Sequence, residues 1–269
     1  MTLRRSLSPA MILQLWILVV LSTVVESLLQ SPTTSHRGHN RLFLDTAEES
    51  IWQELLPLGI FHGVTTNPSL LEAAGQECST SNIHHLAQTA LSTPGCHEVM
   101  VQAWGNAAPE MYKIGMELSK PDRARIVVSV PVTREGTKAA ACLIQSGVRV
   151  CMTACFNANQ AIIAAGLGAE YVAPFLGRMT DSGKSGLEEC LRMGHIVNGM
   201  QATTRILVSS IRSEDSMAEL MAVGEMDTFT ITPDVARALF QDPLTQEAAE
   251  DFQAAAQRAG KDRLLPPTE

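Results

Sequence analysis

Short apolar runs in this chain repeatedly end on polar side chains. "RLFLD" ends on Asp45, "GVTTN" on Thr65 and Asn67, "EVMVQ" on Gln102, and "RIVVSVPVT" carries Ser129 and Thr133. "VRVCMTACFN" carries Thr153 and Asn157, "APFLGR" ends on Arg178, and "RILVSS" ends on Ser209 and Ser210. A carboxyl can move a proton, and carboxamides and hydroxyls can orient water or a hydroxylated ligand. A guanidinium fork with a hydroxyl beside it suits a phosphate. Each residue also has a local reading. Asp45 can cap a helix starting near Ala47, and Asn67-Pro68 is an ordinary turn and helix start. Thr153 can be a core hydroxyl, and Arg178 a solvated loop residue. No member of the set brings an amine.

These residues act together only if the chain gathers them. Eight β-branched, nearly continuous apolar runs ("RLFLDT", "GIFHGVTTN", "HEVMVQA", "RIVVSVPV", "GVRVCMTAC", "AEYVAPF", "RILVSS", "MDTFTIT") suggest strands covered on both faces. Helical stretches fall between them, at 47–58, 106–119, 135–146, 157–167, 186–201 and 213–223. Strand followed by helix, eight times over, predicts an α/β chain folded as a single (β/α)8 TIM barrel. The competing open doubly wound sheet lacks a GxGxxG after the first strand. In such a barrel the C-terminal strand ends hold the chemistry, and the polar residues above sit there together. Of the five lysines, Lys113, Lys120 and Lys138 fall on outer helices and Lys261 in the tail. Only Lys184, in "RMTDSGKSGLEE" after the sixth strand, lies on the site's face. It is a ligand-side or solvated loop lysine, or a nucleophile of the site.

The stretch "GVTTNPSLL" (63–71) resembles the signature of the transaldolase family. The body from Arg41 to about Asp242 is similar to its short branch, the fructose-6-phosphate aldolases and small transaldolases, through "LFLDT", "VPVTREG", "GAEYVAPFLGR" and "DSGKSG". The resemblance implies aldol chemistry on phosphorylated sugars, with a dihydroxyacetone unit as donor, through a lysine Schiff base and with no metal or organic cofactor. It also implies roles. Asp45 handles protons around the carbinolamine, Gln102 and Thr153 position the catalytic water, Thr65 and Asn67 line the substrate site, and Arg178 and Ser210 bind phosphate. Two positions depart from the pattern. Where the family has VVK(I/V)P this chain has "VVSVP", so Ser129 stands at the Schiff-base position. Phe175 stands where the aldolase branch has a tyrosine, although related transaldolases carry phenylalanine there. Only an amine can lose water to a ketone and form an imine. Three readings follow: a sugar-phosphate-binding barrel with lost or altered catalysis, an active transaldolase or aldolase using a relocated lysine (Lys184) or other chemistry, or a non-catalytic assembly or regulatory protein.

The chain has 269 residues, 45% of them hydrophobic, enough for a full core. Its formal net charge is −8 and it has no basic block, so no nucleic-acid partner is expected. The six cysteines form no CxxC pair and the histidines stand at no zinc-ligand spacing to them, so no metal is expected. Cys151 and Cys155 share a strand about 13 Å apart at strand rise, too far to bridge; scattered core thiols fit better than disulfides. Residues 1–40 form a leader. Arg4 and Arg5 precede an apolar run from Pro9 to Val25, a signal-peptide pattern, and "SPTTSHRGHNR" after it has a transit-like composition. This predicts entry to the secretory pathway, and a bipartite plastid leader, secretion or a signal anchor as the destinations; any membrane contact runs through an uncleaved leader. The barrel is placed at 41–241. A C-terminal helical tail is placed at 242–269; the amphipathic stretch "TPDVARALFQDPLTQEAAEDFQAAAQRAGK" that runs into it, with Phe240 and Phe252 as candidate anchors, either packs on its own barrel or joins copies into a homo-oligomer.

Overall fold

The computed structural model describes residues 40–224 and 226–259. The leader readings on 1–39, and Lys261, lie outside the described residues. Eight parallel strands close into a barrel in chain order: β1 (Arg41–Asp45), β2 (Gly63–Thr65), β3 (Glu98–Gln102), β4 (Ile126–Pro131), β5 (Arg149–Cys155), β6 (Tyr171–Pro174), β7 (Arg205–Val208) and β8 (Thr228–Ile231). The outer helices are α1 (Glu49–Leu55), α2 (Pro68–Ala73), α3 (Thr80–Ser92), α4 (Ala108–Leu118), α5 (Arg134–Gln145), α6 (Gln160–Leu167), α7 (Leu176–Asp181), α8 (Gly186–Gly199), α9 (Glu214–Gly224) and α10 (Pro233–Ala238). A last helix, α11 (Pro243–Ala259), follows. Among the described residues no helix is long and apolar enough to cross a membrane.

The period of two in each strand divides the buried apolar residues into two cores. One alternating set, including Leu44, Val64, Val99, Val101, Val128 and Val150, faces the helices. The other, Phe43, Met100, Val127, Cys151, Tyr171, Ala173 and Leu207, fills the barrel's middle. The inward positions below that plug are charged. Tyr171 donates to Glu98 at 2.7 Å, Arg149 bridges Glu98 and Glu170, and Arg41 joins through the Tyr171 hydroxyl. Above the plug the inward positions are polar but small, which leaves a cavity. Charge seals one end of the barrel, and hydroxyls open the other.

Two of the boundaries that differ from the sequence expectation, and one helix outside it, have local reasons. The helix expected over 47–58 stops at Leu55. Pro57 has no N–H to continue the ladder, and a tight 3-10 turn, Leu56–Leu58, ends on Gly59 at φ 77°. The helix expected from 157 starts at Gln160, because Asn157 folds back to accept from the Asn159 amide at 2.9 Å. The helix α3 was not in the expected series. Its spacing of Ile83, Leu86, Ala87 and Ala90 marks one buried face, and Ser79 caps it by accepting from the Asn82 amide.

Candidate active site

The cavity at the C-terminal end of the barrel has a volume of about 260 Å³. Nine of the ten site residues expected from sequence line it: Asp45, Thr65, Asn67, Gln102, Ser129, Thr153, Phe175, Arg178 and Ser210. Lys184 does not. It is exposed, and its amine donates to the Phe156 carbonyl at 2.7 Å. Thr133 and Asn157, at the ends of their runs, take their local roles instead. Thr133 caps α5 by accepting from the Gly136 amide at 3.0 Å, and Asn157 holds the turn before α6.

Asp45 ends β1 opposite Thr65 in register. It does not cap α1: Thr46 accepts from the Glu48 amide there, at 3.2 Å. The Asp45 carboxyl points into the cavity and accepts from the Thr65 hydroxyl at 2.7 Å, while Thr65 and Thr230 share a hydrogen bond of 2.6 Å. Because Thr65 donates to the carboxyl, Thr230 donates to Thr65. Burial lifts the Asp45 carboxyl to about 6, with the Thr65 hydrogen bond and the Arg178 charge pulling the other way. A carboxyl that titrates there can both give and take a proton near neutral pH.

Ser129 is the fourth residue of β4, paired in register with Gln102 on one side and Cys151 on the other. It is 9% exposed and faces the cavity. Burial pushes the neighbouring Cys151 thiol far up, and a hydrogen bond to Ser129 offsets only part of that, so this thiol stays protonated and is a poor nucleophile. Among the described residues no lysine lines the cavity. Asn67 has two duties: its side chain caps α2, accepting from the Ser69 and Leu70 amides at 3.0 and 3.1 Å, while it also forms part of the wall.

The opposite rim is cationic. Gly177 donates to the Ser210 carbonyl at 2.9 Å, and a Cβ on Gly177 would lie 2.3 Å from that oxygen. Only glycine lets α7 dock this closely on the exit of β7. The docking sets Arg178 beside Ser210, whose own backbone is left-handed at φ 58°. Ala154, at φ 56° beside a register irregularity in β5, is a second left-handed residue near the same end of the barrel. Non-glycine residues persist in this region only where surrounding structure enforces it. The Phe175 ring supports Arg178, with the guanidinium 5.0 Å from its centroid, and Phe156 packs edge-on behind it at 5.5 Å. Phe175 thus serves as a platform for a cation.

Sequence reasoning missed Arg212, Thr230 and Thr232 in the wall. Arg212 follows Ser210 by two positions and pairs with Asp181 at 2.8 Å at the rim. Thr228, Thr230 and Thr232 alternate in "TFTIT", and that period of two was the available signal. The Thr66 hydroxyl, also in the wall, is buried with no hydrogen-bond partner among the described residues. Also among the described residues, no group of three or more His, Cys, Asp or Glu is placed to hold a metal ion. The six cysteines are free; Cys78 and Cys142 are exposed, and the other four are core thiols.

Comparison with known proteins bears on the whole barrel. The profile of the family described as transaldolase/fructose-6-phosphate aldolase matches residues 42–264. A probable transaldolase of Phenylobacterium zucineum is 34% identical over 224 residues, 83% of this chain and 100% of that protein. One from Leptospira biflexa is 36% identical over 211 residues, 78% of this chain and 95% of its own length. Among solved structures, orotidine 5'-monophosphate decarboxylase from Metallosphaera sedula is 12% identical, with a TM-score of 0.50 over 80% of this chain and 97% of that one; a likeness at that identity is one of fold alone. The profile and the relatives together span the barrel from its first strand to beyond its last, and with them the chain belongs to the transaldolase/fructose-6-phosphate aldolase family of carbohydrate metabolism.

Proposed function

We propose that this barrel binds a phosphorylated ketose and that its Schiff-base chemistry is lost or altered. The observation that carries the reading is Ser129, facing the cavity at the position the family resemblance assigns to the lysine, in a wall that contains no lysine among the described residues. A serine hydroxyl adds to a ketone only as far as a hemiketal; it has no second proton on the attacking atom to lose with water, so no iminium electron sink forms. The rest of the site supports a retained ligand. Arg178, Arg212 and Ser210 suit a phosphate at the rim. Asp45, hydrogen-bonded through Thr65 to Thr230, can serve a hydroxyl or carbonyl deeper in. Lys184, held on the Phe156 carbonyl, supplies no observation in favour of a relocated nucleophile.

The test is aldol cleavage of fructose 6-phosphate, and its transfer to erythrose 4-phosphate, by the purified chain and by Ser129→Lys. We expect borohydride with dihydroxyacetone to label no lysine in the native chain. Ser129→Lys should gain turnover by a factor of at least about 10², within the span that covalent and acid–base catalysis supply. A borohydride label on native Lys184 refutes the proposal. An inert Ser129→Lys variant that still binds the ketose phosphate would place the defect beyond residue 129.

A second reading, self-assembly, is favoured by α11. The helix has no buried residue, and Leu244 and Phe252 are each 74% exposed. Phe240, at 48% exposure, does not pack into the barrel as an anchor either. We expect light scattering to give a larger mass for the full chain than for one truncated after residue 241. Equal masses per chain would end this reading.

A further inference from the structure

The cavity is electrostatically divided, and the division names a ligand class. Both of its guanidinia, Arg178 and Arg212, are exposed at the rim. The inner wall holds one carboxyl, Asp45, and otherwise neutral groups such as Thr65, Ser129, Thr153 and Thr230. Among the described residues the only hydrogen bond Asp45 accepts is from Thr65. One carboxylate oxygen thus faces the cavity with acceptor capacity to spare. At neutral pH that carboxylate is ionised, half-buried, and short of a counter-charge; burial dominates its titration, and Arg178 relieves only part of the cost. A ligand hydroxyl would donate to it and leave its charge uncompensated. A ligand ammonium would donate and pair the charge as well, which makes a stronger bond in a site of low dielectric. The small Ser129 side chain across the cavity leaves room for such a group and offers it a hydroxyl oxygen.

We propose that the site prefers a phosphate ester carrying a primary ammonium group, an amino-sugar phosphate, with the phosphate at Arg178, Arg212 and Ser210 and the ammonium at Asp45. This rests on the sugar-phosphate reading above and narrows it. The amine absent from the protein wall arrives on the ligand. No covalent step is involved.

Calorimetry with the full chain at pH 7 tests this with four probes: glucosamine 6-phosphate, glucose 6-phosphate, N-acetylglucosamine 6-phosphate and fructose 6-phosphate. Glucosamine 6-phosphate should bind at least tenfold more tightly than each of the other three, since acetylation removes the charge and keeps the nitrogen. Asp45→Asn should bind glucosamine 6-phosphate at least about tenfold more weakly than the native chain does, level with its binding of glucose 6-phosphate. Ser129→Lys should invert the preference, because a fixed cation in the cavity repels the ligand's. Thermal melts of both variants check that they fold. Equal affinity of the native chain for the amino and hydroxyl sugars, or a preference that survives Asp45→Asn, overturns the amine proposal and leaves the sugar-phosphate reading standing. Binding of none of the four overturns both.

Discussion

Asp45 and His62 carry ionisations displaced in opposite directions, and the stability of the protein should record both. Asp45 titrates at about 6 instead of 3.8, because burial disfavours its charge. Its folded state holds the proton more tightly, so this contribution is fully present below pH 4 and is lost as pH rises through 6. The loss is on the order of 2 kcal/mol after allowance for partial exposure, at about 1.4 kcal/mol per pKa unit. Partial burial near the charged end of the barrel, with Arg41, His97, Arg149 and Arg205 around it, holds His62 down to about 4. Its contribution is present above 6.5 and is lost as pH falls through 4. The two slopes oppose each other between pH 4 and 6.5. We therefore expect a shallow stability profile for the native chain there. Asp45→Asn should stabilise the protein at pH 8, leave it unchanged below pH 4, and expose a steeper loss of stability toward acid. Denaturant melts across that range decide it; an Asp45→Asn chain no more stable at pH 8 than the native one would show the carboxylate to be well solvated.

At the scale of elements, the site depends on how closely helices dock on strand ends. Gly177 is the sharpest case: a Cβ there would press on the Ser210 carbonyl at 2.3 Å, and the first turn of α7 would have to move away. Arg178 rides on that turn, stacked on Phe175. Gly177→Ala should weaken binding of a phosphorylated ligand roughly tenfold or more, since a misplaced guanidinium loses its fork geometry. It should leave binding of unphosphorylated dihydroxyacetone little changed. Equal weakening of both would point to general collapse of the cavity. The same logic holds at α5, where a Cβ on Gly136 would lie 1.9 Å from the Pro131 carbonyl and Thr133 is consumed as the cap.

For the whole molecule, the barrel interior is built in levels of different polarity, and the charged lower level is the most exposed to mutation. Arg149 donates to Glu98, to Glu170 and, at 2.7 Å, to the Ala124 carbonyl. Glu98 is only 3% exposed. Removing Arg149 leaves the Glu98 and Glu170 carboxylates only the longer Arg41 ion-pair contacts, at 3.8 and 3.6 Å, at a cost of up to about 3–5 kcal/mol. Arg149→Met should therefore lower Tm by roughly 10 °C for a barrel of this size, while ligand binding at the opposite end persists. A paired Arg149→Met, Glu98→Gln change should recover part of the loss, since the more deeply buried of the two carboxylate charges is gone; no recovery would mean that packing, not charge, sets the cost.

Much of this protein is written locally. Continuous β-branched runs followed by amphipathic stretches gave eight strands in order, and the polar residues closing those runs gave nine members of the cavity wall. The absence of an amine in "VVSVP" is legible in the same way. Where expectation failed, the deciding contact lay elsewhere in the chain or the cue was overlooked. Lys184 carries the right chemistry on the right face, but its amine is captured by a carbonyl 28 positions away. Arg212 enters the wall because α7 and the exit of β7 meet, and the threonines of β8 matter because closure of the barrel brings the last strand beside the first. Alternation in a strand is a local property of the backbone. Which inward residues share one cavity is decided only when the sheet closes, because closure alone determines which strands face each other and how deep the remaining space runs.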